Sequence, residues 1–162
     1  MTAVRHTGGW VIASSFLLAF LATSLPLSGW LGRFWPDWVA MVLIYWCLAL
    51  PYRIGIGTGW LVGLLVDVGR GALLGQHALA FATLAYLTVQ THRRIRVLPP
   101  WRQAISVLAF LLLKQFLVFW ISGVIGSPPR DGWYLAPAAG GMIGWPLLFV
   151  ILRDARRYFQ VT

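Results

Sequence analysis

Six apolar runs fill almost the whole chain, and the short gaps between them carry most of its arginines. Crossing the hydrocarbon core of a bilayer takes about 20 apolar residues in a helix, with roughly 17–25 the usual range. The runs cover about 10–30, 35–50, 54–68, 72–89, 104–125 and 133–152. They predict an all-α integral membrane protein with six transmembrane helices, residues 1–162 forming a single polytopic membrane domain. Only 10% of the residues are charged, against about 25% in a soluble domain, so a soluble chain of this kind could not cover its own surface. Runs 35–50 and 54–68 are short and separated only by Pro51-Tyr52-Arg53. They read as two crossings or as a re-entrant hairpin, a form tolerated where protein buries its backbone. The first run follows closely on Arg5 and His6 but exceeds the roughly 7–15 residues of a signal-peptide core. It also lacks a clean A-x-A site and reads as an uncleaved span.

The charge balance is lopsided, with thirteen basic residues, four acidic ones and a net charge of +9. With six crossings, both termini lie on one side with the second and fourth gaps. That side gathers Arg5, Arg53, Arg93, Arg94, Arg96, Arg102, Arg153, Arg156 and Arg157, and the other holds Arg33, Arg70 and Arg130. Basic gaps stay in the cytoplasm, which predicts a bacterial inner-membrane protein with cytoplasmic termini. The same distribution argues against nucleic acid as a partner and for anionic lipid beside His92-Arg93-Arg94-Ile95-Arg96. Trp10, Trp30, Trp35, Trp38, Trp101 and Trp133 fall near predicted span ends, where an aromatic belt belongs.

The clearest pattern within the spans is a four-residue ladder, Gly55, Gly59, Gly63, Asp67, Gly71 and Gly75, with a shorter one at Ala136, Gly140 and Gly144. Residues four apart share a helix face, and small residues there let a second helix approach closely, which is how helices associate in lipid. The seam would pack in this chain or against a partner. An inward seam leaves Asp37 and Asp67, near the outer surface, as the partner contacts. Intramembrane carboxylates are costly and face protein or a cavity. Asp67 reads either as an interfacial group beside Arg70 or as counterion to Lys114, the one lysine, placed mid-way along the fifth run. A cation there costs at least about 2.5 kcal/mol, which a pair would offset and snorkelling would avoid. Cys47, in an apolar run, reads as a small buried residue. No G-x-S-x-G or H-E-x-x-H occurs, the four aspartates are scattered, and His6, His77 and His92 lack metal-ligand spacing. No catalytic, cofactor or metal residues are therefore expected.

The stretch from Arg33 to Leu87 resembles the rod-shape-determining MreD family. The resemblance is carried by Pro36-Asp37-Trp38 leading into an aromatic second span and by Pro51-x-Arg53 before a glycine-rich third span ending Leu65-Val66-Asp67. It continues through Gly71-x-x-x-Gly75 to a fourth span ending Ala85-Tyr86-Leu87. Length, six-span plan and basic fourth gap extend it to the whole chain. Members often carry a carboxylate in the fifth span, where this chain has Lys114 instead. The resemblance implies a fold like the substrate-binding subunit of energy-coupling-factor vitamin transporters. It implies a non-enzymatic scaffold of the elongasome that binds MreC and supports lateral-wall peptidoglycan synthesis. MreB, RodA and a class B penicillin-binding transpeptidase complete the assembly, and a homodimer stays open. The residues singled out for partner binding or helix packing are Asp37, Gly59, Gly63, Asp67, Gly71 and Lys114. The rival readings are a vitamin-type transporter subunit, which needs a polar pocket opening outward, and a small membrane enzyme, which needs convergent titratable groups.

Overall fold

A computed structural model describes residues 8–162, so Arg5 and His6 lie outside the described residues. Among these the chain is all-helical: α1 Gly9–Thr23, α2 Gly29–Arg33, α3 Trp38–Ala49, α4 Ile56–Arg70, α5 Gln76–Ile95, α6 Pro100–Ile125 and α7 Ala136–Tyr158. The predicted first span is shorter than 10–30. α1 stops at Thr23, where the Ser24 hydroxyl bonds the carbonyl of Phe20 at 2.8 Å. Pro26 then cannot continue a helical hydrogen-bond ladder. The fourth helix both starts and ends later than 72–89, running to Ile95 with Arg96 as its C-cap. His92, Arg93 and Arg94 therefore form the last turn of α5 rather than a loop, where cations meet the negative end of the helix dipole.

α3 is the centre of the fold. All ten residues from Val39 to Leu48 are buried, and a helix apolar all round must be enclosed. It packs against α1, α5, α6 and α7, and α4 pairs with α5 and α6 with α7. Trp46 and Trp145 are the largest fully buried side chains. Both of these indoles find an acceptor, Trp46 Nε1 donating to Ser15 Oγ at 2.9 Å and Trp145 Nε1 to Gln103 Oε1 at 3.3 Å, whereas the buried Nε1 of Trp38 has none among the described residues. Around this core the outer helix faces are apolar and exposed, as at Leu18, Leu61, Leu65, Phe116, Trp120 and Leu147.

α6 and α7 are long and apolar enough to cross a membrane, whereas α1 and α3 are shorter apolar helices. At 1.5 Å per residue the twelve residues of α3 extend about 18 Å, less than the roughly 30 Å of hydrocarbon. Successive long helices run in opposite directions, so the molecule has two ends. One holds the start of α1, the turn after α3, the α5–α6 junction and the C-terminus. There Val161 packs on Gly8, and Arg53 Nη1 donates to the carbonyl of Thr162 at 2.7 Å. The other end carries α2, the head of α3, the α4–α5 turn and the segment between α6 and α7.

Candidate functional site

The second end contains a pocket of about 310 Å³ between α2, α3, α4, α5, α6 and the start of α7. Two buried carboxylates organise it. Asp37 stands immediately before α3, where the preceding Pro36 disfavours helix and a short acceptor suits the N-cap. Its Oδ1 accepts from the amide of Ala40 at 3.2 Å, and its Oδ2 binds Lys114 Nζ from α6. Both side chains are buried, and the Lys114 ammonium also lies 5.7 Å from the centre of the Phe81 ring. One aspartate thus starts a helix and compensates a buried cation.

Asp67 is fully buried near the end of α4. Its oxygens accept from the amides of Gly75 and His77 at 2.9 Å each and of Ala78 at 3.3 Å, and His77 Nδ1 lies 2.8 Å from Oδ1. Gly75, the N-cap of α5, has no side chain with which to cap. The carboxylate at the end of α4 therefore supplies the acceptor that the N-terminus of α5 needs. The turn between them requires glycine twice, because Gly71 and Gly75 sit at φ +62° and +102°. His77 Nε2 faces Arg70 Nη1 at 3.5 Å, which fits a neutral ring donating from Nδ1.

The glycine seam faces α5. A Cβ on Gly59 would lie 2.7 Å from the carbonyl oxygen of Phe81 and 2.9 Å from Ala85 Cβ, and one on Gly63 would strike the backbone of Ala78. In the second ladder, a Cβ on Gly140 would strike the carbonyl of Phe34.

Geometry follows neither of the readings offered for Asp67, as counterion to Lys114 or as a group beside Arg70. Lys114 pairs with Asp37, and Asp67 is taken by His77 and three amides. The expected local partner of Asp67, Arg70, meets His77 instead. Asp37 and Asp67 are both buried, with their oxygens committed inside the chain, so neither offers a free carboxylate at the surface. Two groups of the pocket were not singled out by the sequence. His77 read as an isolated histidine, although an uncapped helix start after a buried aspartate was the available signal. Gln115 Oε1, like Thr23 Oγ1, is buried in the pocket lining without a protein partner. Arg33 and Arg70 are exposed on the pocket rim, and neither meets a carboxylate among the described residues. Among those residues no cluster of His, Cys, Asp or Glu could hold a metal ion, and Cys47 is fully buried.

Residues 4–153 match the family model described as rod shape-determining protein MreD. The chain is also similar to the Rod shape-determining protein MreD of Haemophilus influenzae, at 30% identity over 148 residues that cover 91% of each chain. No solved structure matches it.

Proposed function

The chain belongs to the MreD family of rod shape-determining proteins, and from that premise we propose that it is a non-enzymatic, six-span scaffold of the bacterial inner membrane. In this reading the basic end lies in the cytoplasm against anionic lipid. The opposite pocket faces outward, and the chain binds MreC within the elongasome, next to MreB, RodA and a class B penicillin-binding transpeptidase. Through that assembly it supports lateral-wall peptidoglycan synthesis. A fold like the substrate-binding subunit of energy-coupling-factor transporters is part of the same reading. The observation that carries it is the state of the buried charges. Asp37, Lys114 and Asp67 are each consumed in bonds that join helices of this chain. A catalytic constellation needs a titratable group free to meet a substrate, whereas a scaffold needs its interior charges satisfied. The outward rim, with the exposed Arg33 and Arg70, suits polar contact with a partner segment emerging from the bilayer.

Co-expression with tagged MreC and purification in mild detergent tests the proposal. A stable complex with MreC is expected. Purification of this chain without MreC, with a tightly bound small molecule instead, would replace the scaffold by a transporter-like binding subunit.

A further inference from the structure

At the basic end, α3, α5, α6 and α7 enclose a second cavity, of about 170 Å³, lined by Tyr45, Gln103, Arg96, Arg153, Arg156 and Arg157. Arg96 closes α5, and the other three arginines lie in the last turns of α7 at spacings of three and four, which puts them on one face. Three of the chain's four acidic residues, Asp37, Asp67 and Asp131, are at the far end. The fourth, Asp154, is exposed and touches Arg153 Nε at 3.3 Å, an exposed pair of little consequence. Four arginines therefore line one small cavity with almost no compensating charge.

The cavity wall contains two nearly buried polar side chains. Gln103 is saturated: its Nε2 donates to the carbonyls of Ile95 and Leu98, and its Oε1 accepts from Trp145. Tyr45 is not. It is 3% exposed, its ring is held edge-on by Trp46 and Phe149, and its hydroxyl lines the cavity without a hydrogen-bond partner among the described residues, though it is not sealed from solvent. Guanidinium groups donate and cannot accept. A phenol O–H set among arginines has a donor and finds its acceptor, water or an anion, outside the chain. An acceptor that also neutralises several guanidinium groups is an anion with more than two oxygens, and phosphate matches the planar fork of arginine in pairs.

We propose that this cavity binds a phosphate-bearing anion, a phosphate monoester or a diphosphate, through the Tyr45 hydroxyl and Arg96, Arg153, Arg156 and Arg157. The group comes from an anionic lipid headgroup or from a soluble phosphate compound. The chemistry of the cavity is independent of the scaffold reading, which bears only on the leaflet that would supply a lipid.

The test uses purified full-length chain with two probes. Phosphatidic acid is offered in phosphatidylcholine nanodiscs, with retention scored by native mass spectrometry, and inorganic pyrophosphate is titrated in neutral detergent. Arg156→Gln and Tyr45→Phe should each weaken binding about tenfold, as expected for loss of one hydrogen bond to a charged group. Arg130→Gln removes the same charge at the far end of the molecule and should leave binding unchanged. Tyr45→Phe keeps the packed ring, so it tests the hydroxyl even where an arginine variant folds poorly. That pattern with phosphatidic acid alone assigns a lipid, and with pyrophosphate alone a soluble phosphate. Equal losses for Arg130→Gln and Arg156→Gln, or no binding of either probe, would overturn the proposal.

Discussion

Lys114 shows what one buried charge demands. An ammonium in mid-span is tolerated only with a counter-charge or a route to water, so a carboxylate partner was foreseeable. Which carboxylate was not, because sequence gives depth along a helix but not the direction in which its neighbour turns. Asp37 and Asp67 lie near the same end, yet α6 packs on α3, and Asp67 is already held by the amides that open α5. Removing one member of a buried pair strands the other and typically costs about 3–5 kcal/mol, whereas removing both need not. Lys114→Met should therefore lower folded yield and thermal midpoint sharply alone and much less in an Asp37→Asn background. In an Asp67→Asn background its effect should add. A double-mutant cycle on detergent-solubilised protein reads both, and coupling to Asp67 rather than Asp37 would contradict the geometry.

The α4–α5 hairpin is one cooperative element, and its parts explain a ladder that reads in sequence as a single repeated motif. Gly59 and Gly63 permit backbone contact, Asp67 caps the next helix, and Gly71 and Gly75 supply left-handed backbone. The four-residue spacing was legible as a packing face because it is a helix period. The division of labour was not, since capping across a turn depends on where α4 ends, and the helix runs to Arg70. The same difficulty displaced the end of α1, which stops three residues before Pro26, and the basic end of α5, which runs on to Ile95. Overpacking of a close contact costs about 1–3 kcal/mol, and here the obstacle is Ala78 backbone, which yields less than a side chain. Gly63→Leu should thus reduce the amount of monodisperse protein itself, not merely its association with a partner. Asp67→Ala should be as damaging, with Asp67→Asn milder because one acceptor oxygen remains for the α5 amides. Size-exclusion profiles and thermal midpoints would check these outcomes, and a wild-type profile for Gly63→Leu would place the seam against lipid.

On the scale of the whole chain the two ends differ in both charge and construction. The basic end gathers eight described arginines against Asp154, while the pocket end sets Arg33, Arg70, Arg130 and Lys114 against Asp37, Asp67 and Asp131. Only the first end carries a strong excess of the charge that holds loops in the cytoplasm. Hydropathy alone could not decide whether the short 35–50 and 54–68 runs cross fully, because α3 is enclosed by other helices and need not match the bilayer by itself. Orientation does not depend on that question. Arg53 ties the α3–α4 turn to Thr162, and Val161 packs on Gly8, so the start of α1 and the end of α7 report the same side whether that pair crosses or re-enters. α7 alone separates this end from the segment at 127–132, which carries only Arg130 and Asp131. Alkaline phosphatase, active only outside the cytoplasm, should therefore be inactive when fused after Thr162 and active when inserted within 127–132. The opposite pair of activities would invert the orientation, and equal activities at both positions would show that α7 does not cross.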